Sequence, residues 1–173
     1  MVKAAHFSGF SCRCGEVGFE ATGAPIMTVT CHCESCRKAA AALAALTAAP
    51  TVANDEGGTD YVMLRKDRVR CEKGEDLLRA HRLTPTSPTR RVLASCCNTP
   101  MFLEFKGGHW LSVYRDRFAE PPPIELRTMA GNRTFADSVP SAKSHTPTFM
   151  WRLFKAWAAM GFRVPKMGEI KEA

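Results

Sequence analysis

Seven of the eight cysteines in this 173-residue chain fall into three short groups, and that grouping limits the fold more than any other feature of the sequence. The groups are C-x-C at Cys12 and Cys14, C-x-C-x-x-C at Cys31, Cys33 and Cys36, and C-C at Cys96 and Cys97, with Cys71 alone. Thiols this close together are disulfide halves, reactive thiolates or ligands of a metal, and the compartment helps to decide between them. The opening MVKAAHFSGF has one lysine, no apolar h-region and no cleavage site, so it does not read as a secretory signal. The longest apolar run, AAAALAALTAA at 39–49, is too short and too alanine-rich to span a bilayer. The expected setting is cytoplasmic, without membrane contact. Thiols stay reduced there, and clustered cysteines point to metal or catalysis rather than to a disulfide framework.

Tetrahedral zinc takes four ligands, with sulfur at about 2.3 Å. A C-x-C turn supplies two of them and needs partners from a distant turn, which makes Cys12/Cys14 and Cys96/Cys97 natural donors for one ion. The middle group offers three sulfurs at one place. Three protein ligands with an open fourth position is the layout of a catalytic zinc. The same thiols could instead simply staple a β fold, so spacing favours Zn2+ while leaving its role open.

The rest of the chain is that of one ordinary globular domain, 45% hydrophobic and 24% charged. The net charge of +7 raises the case for an anionic partner. Lys and Arg are nevertheless spread along the chain with no run of five and no interleaved aromatics, which disfavours nucleic acid. Strands are expected over 16–20, within 25–33, at 61–64, 69–71 and 77–83, on both sides of Cys96/Cys97, and at 110–115. One helix is expected after Cys36, through the alanine run to Pro50. A second is expected at about 147–161, where Phe149, Leu153, Trp157 and Met160 share a face between Pro147 and Gly161. The pattern is mainly β, with one internal helix and one C-terminal helix. Residues 1–120 form the zinc-binding β domain, and 121–173 an extension, opened by Pro121–Pro123, whose amphipathic helix packs on that domain.

SCRCGEVGFE, TCHCESCRKA and RVLASCCNTPMFLEF, in that order over residues 8–105, carry a specific likeness. Together they resemble the three signature segments of the glutathione-dependent formaldehyde-activating enzyme family, which includes centromere protein V. The resemblance implies a β-tent of twisted antiparallel sheets built around zinc. It implies a structural zinc on Cys12, Cys14 and Cys97. It also implies a working zinc on Cys31, Cys33 and Cys36, where a small thiol such as glutathione meets formaldehyde. Two departures stand out. The family's first cysteine of the third segment falls on Ala94, which cannot bind metal, and Asn98 stands where glycine is usual. Cys96 is the replacement ligand, or else turns toward the middle group and closes it with a fourth sulfur.

Among the other polar residues, strand alternation points His32 away from the metal. Arg37 and Lys38 either attract the carboxylates of a peptide thiol or are merely exposed. His109 and Trp110 either border a pocket or pack at a sheet edge. Cys71 reads as a buried free thiol, and His145 as a cap or a solvated residue. Two functions follow: a carbon–sulfur lyase acting on a thiol–aldehyde adduct, or a non-catalytic zinc-stabilised module with a protein or nucleic-acid partner. A homodimer is compatible with either.

Overall fold

The computed structural model describes residues 9–173, so the reading of the first eight residues lies outside the described residues. Eleven strands and two helices are present among them. Three strands, β1 (Phe10–Ser11), β2 (Gly18–Ala21) and β5 (Val69–Lys73), form a small antiparallel sheet. The other eight form a large sheet. They are β3 (Met27–Cys31), β4 (Thr59–Arg65), β6 (Leu78–His81), β7 (Thr89–Ala94), β8 (Thr99–Phe105), β9 (Trp110–Tyr114), β10 (Leu126–Thr128) and β11 (Lys171–Glu172). Their order across the sheet is β10-β3-β4-β9-β8-β7-β6-β11. The fold is therefore mainly β, as expected.

Two cores lie on the two faces of the large sheet. Along β4 the side chains alternate: Val62 and Leu64 join Phe10, Phe19 and Phe102 under the small sheet, while Tyr61 and Met63 join Leu43, Phe149 and Leu153 under the helices. A strand buried on both faces reads as a continuous apolar run, which is what YVML is. Helix α1 (Glu34–Ala44) buries Cys36, Ala39, Ala40 and Leu43, and α2 (Pro147–Ala158) buries Phe149, Leu153 and Ala156. No helix among the described residues is long and apolar enough to cross a membrane.

Several elements differ from expectation for local reasons. The strand expected over 16–20 is β2 and begins at Gly18 rather than Glu16, with β1 preceding it. Backbone bonds from Gly15 to Cys12 and from Cys12 to Val17, each 3.0 Å, close residues 12–17 into a turn before pairing starts. Helix α1 starts at Glu34 and stops at Ala44, well short of Pro50. Its buried stripe ends at Leu43, and the following alanines have propensity but nothing to pack against. The Pro121–Pro123 run does not end the sheet. Beyond it, β10 pairs parallel with β3 and β11 pairs parallel with β6, so the sheet is mixed at its edges rather than wholly antiparallel. Two- and three-residue edge strands held by backbone pairing have no side-chain signature to read.

Helix α2 docks as its stripe predicts. Thr146 caps it by accepting the Phe149 N–H at 3.1 Å, and Gly161 follows it with φ +63°. The buried ring of His109 hydrogen-bonds the Leu153 carbonyl through Nε2 at 2.9 Å and stacks on Trp157. His109 thus anchors the helix, while its neighbour Trp110 faces the cavity described next.

Candidate metal centre

The first and third cysteine groups meet. Cys12, Cys14, Cys96 and Cys97 bring their sulfurs within 4.8 Å of one another. Four Sγ–Sγ separations are 3.3 Å (Cys14–Cys96), 3.5 Å (Cys12–Cys14), 3.8 Å (Cys12–Cys96) and 3.8 Å (Cys96–Cys97). Tetrahedral zinc with sulfur at about 2.3 Å needs sulfurs about 3.8 Å apart, so the donor set fits such an ion. Residues Ser95–Asn98 make a tight turn between β7 and β8, and in a turn adjacent side chains can converge. That is why Cys96 and Cys97 reach one cluster instead of two. Asn98 holds the turn at φ +50°, and its Nδ2 donates to the Thr47 carbonyl at 3.0 Å. Ala94, wholly buried at the end of β7, leaves its family position to the hydrophobic core. Cys97 is the acidic thiol here, held down to about 6. Burial opposes this, but the Thr99 hydroxyl at 2.9 Å and the Cys14 backbone outweigh it.

Cys31, Cys33 and Cys36 form a second cluster, also within 4.8 Å, with no fourth cysteine, histidine or carboxylate grouped with them among the described residues. Strand β3 delivers Cys31. Cys33 is the N-cap of α1, its sulfur accepting the Cys36 N–H at 3.3 Å, and Cys36 lies one turn in. A thiolate at a helix N-terminus faces the positive end of the helix dipole. The Cys31 thiol, then that of Cys36, donates to Cys33 and holds it down to about 2. Cys31 is pushed far above the ordinary thiol range, first by that same bond. For Cys36, the bond with Cys31 lowers the pKa, but the bond to Cys33 and burial outweigh it and push the thiol up to about 11, so Cys33 is the thiolate of the metal-free cluster.

A metal binding all three must therefore displace about two protons near neutrality. Protons compete with the ion, so affinity at this cluster rises with pH, by up to about 100-fold per unit. Competition titrations against a chelator between about pH 6 and 8 check this. A pH-independent affinity would contradict it.

The cluster opens onto a cavity of about 360 Å³ between the large sheet and the two helices. Arg91 of β7 is wholly buried in its wall. One guanidinium nitrogen donates to the Ser35 hydroxyl at 2.9 Å and the Ser35 carbonyl at 3.2 Å, while its Nε has no partner. It makes no ion pair with a carboxylate among the described residues. A buried cation needs a counter-charge, and the cysteines are the acidic groups that share its cavity wall. Tyr61 Oη lies 3.7 Å from the Cys36 sulfur. His145 also lines the cavity. Its Nδ1 is 3.0 Å from Thr128 Oγ1 and its ring stacks on Phe149 with centroids 4.5 Å apart.

The remaining residues singled out in the sequence lie elsewhere. His32 points away from the cysteines and is buried, with Nδ1 2.8 Å from an Arg133 guanidinium nitrogen. Arg37 and Lys38 sit on the exposed side of α1 and do not line the cavity; Lys38 pairs with Glu34 at 2.7 Å. Cys71 is half-buried, its sulfur 3.4 Å from the Lys73 carbonyl. Arg91 carried a signal that went unused: in RRVLA it shares strand parity with Leu93, so one arginine of the pair had to face inward.

A mainly β protein with one four-sulfur cluster between its sheets and one three-sulfur cluster under a cavity is of the metal-binding class, each cluster being able to hold an ion. The particular family is shown by comparison with known proteins. The model described as "Glutathione-dependent formaldehyde-activating enzyme" matches residues 7–115, and the chain belongs to that family. No curated protein matches it. Among solved structures, the crystal structure of a Rhodobacter sphaeroides protein from structural genomics is similar to it. The two are 15% identical with a TM-score of 0.47, over 66% of this chain and 91% of that one.

Proposed function

We propose that the protein is a zinc-dependent carbon–sulfur lyase that makes and breaks the adduct of a small thiol with an aldehyde, as the glutathione–formaldehyde chemistry in the family's name suggests. One observation carries the reading. Cys31, Cys33 and Cys36 form a three-sulfur cluster beneath a cavity large enough for a small molecule. Zinc bound there would lower the pKa of an incoming thiol and polarise a carbonyl.

The chain supplies the rest. The cavity surrounds the reacting atoms with mainly apolar side chains, and Arg91 sets a positive charge in the same wall as the thiolates. Sulfur bonds to the carbonyl carbon, the carbon–oxygen π pair moves to oxygen, and that oxygen takes up the proton the thiol has lost. We assign that proton to His145, an exposed side chain at the cavity rim hydrogen-bonded to Thr128. The reverse direction breaks the same carbon–sulfur bond.

The alternative, a sulfur-saturated module without chemistry, needs a fourth protein sulfur on the middle cluster. Cys96 was the residue for that, and its thiol lies beside Cys12 and Cys14 instead. Exchange NMR on formaldehyde at equilibrium with its adducts of glutathione and of an apolar thiol tests the proposal, acceleration of either adduct supporting it. The zinc-loaded protein is expected to speed exchange about tenfold or more at micromolar concentration, within the range of modest acid–base and metal assistance. Unchanged exchange with any thiol–aldehyde pair would overturn it.

A further inference from the structure

The wall of the cavity constrains what its substrate looks like away from the sulfur. Beyond the cysteines it is built mainly from Val29, Met63, Leu103, Trp110, Phe149 and Leu153. Among the described residues it contains no lysine and no carboxylate. Its one permanent charge, Arg91, is wholly buried and donates to Ser35 and Thr89, with Nε alone unpartnered. The two cations of the CHCESCRK segment, Arg37 and Lys38, face outward.

The last part of the wall comes from outside the residues that match the family. Phe149, Met150 and Leu153 of α2, with His145 just before it, close the cavity from the C-terminal side, whereas the family match ends at residue 115. An apolar roof has thus been added over a cluster whose family chemistry is named for glutathione, a peptide with two carboxylates and an ammonium group. Each of those charges would lose water on entering; Arg91 could face one carboxylate at most, and the second carboxylate and the ammonium group would find no counter-charge in the wall.

We infer that the substrate of this site is a thiol–aldehyde adduct with an uncharged, apolar body, an aryl or alkyl thiol rather than a charged peptide thiol, and that α2 is the element that selects it. The inference rests on the thiol-binding reading given above, and the test separates the two.

The full-length protein is loaded with cobalt in place of zinc and titrated with 2-phenylethanethiol, 2-phenylethanol and glutathione. Tryptophan fluorescence reports entry to the cavity, through Trp110. The cobalt absorption bands report sulfur on the metal. Phenylethanethiol is expected to change both signals at concentrations about tenfold or more below those of glutathione, the margin a buried ring provides. Phenylethanol is expected to change fluorescence alone. Met150→Glu, at a side chain 53% exposed and in the first turn of α2 where an acid is tolerated, should fold normally and remove most of that margin. Glutathione acting at concentrations equal to or below phenylethanethiol, or an undiminished preference in Met150→Glu, would overturn the inference. Should the aryl probes enter the cavity while no thiol alters the cobalt bands, the apolar preference stands and the thiol-binding reading falls.

Discussion

Cys12→Ser is expected to cost the protein its fold. The side chain is 3% exposed and packed with Phe10, Val17 and Phe19, and its sulfur accepts the Val17 N–H at 3.2 Å. Through the Cys12–Cys14 turn and the Cys96–Cys97 turn, an ion on this cluster would tie the small sheet to the β7–β8 turn of the large one. Structural zinc contributes on the order of 10 kcal/mol to small domains near neutrality, against total stabilities of about 5–15 kcal/mol. Loss of the ion therefore outweighs most of what holds the chain folded. Metal analysis and circular dichroism on the purified variant should show at least one ion fewer than wild type and no cooperative melting transition above 25 °C, roughly the condition of a domain with no net stability. Cys97→Ser, from the other turn, is expected to behave in the same way. A folded, fully metallated Cys12→Ser protein would refute the assignment.

Cys33→Ser should separate chemistry from folding. Serine is among the best N-cap residues, and its hydroxyl can accept the Cys36 N–H that Cys33 now accepts, so α1 keeps its start. Stability is expected to change by no more than about 1 kcal/mol. The ion, however, loses one of only three protein sulfurs. Assistance worth about 4 kcal/mol from a bound metal corresponds to about a thousandfold in rate. Adduct exchange should therefore fall to the rate measured without protein, with the other cluster's metal retained. A variant that keeps its rate would place the chemistry elsewhere.

How much of this was legible in the sequence depends on the range of the interaction that decides each feature. Cysteine spacing is local, and it paired Cys12/Cys14 with Cys96/Cys97 and set Cys31, Cys33 and Cys36 apart, while leaving undecided whether Cys96 closed that second group. Strand positions followed from short apolar runs, though the Cys12–Val17 turn claimed two residues that the pattern assigned to a strand. The destination of Cys96 was open because it hinges on a four-residue turn held by Asn98 and the Thr47 carbonyl, a contact across 51 positions. Arg37 and Lys38 looked like substrate anchors because they adjoin the cysteines in sequence, yet helix geometry carries them outward. Arg91, His145 and the α2 roof reach the cysteines only through tertiary packing. Phe149 and Leu153 were visible as a core stripe, and nothing local to that helix says that what it covers is a cavity.

The most direct test of the central claim is a crystal structure of the protein purified under reducing conditions, with anomalous data collected at the zinc edge. Two peaks are expected. One should have four sulfurs, from Cys12, Cys14, Cys96 and Cys97. The other should have Cys31, Cys33 and Cys36 and a fourth position turned toward the cavity. A missing peak at either cluster, or a fourth protein side chain closing the second, would contradict it.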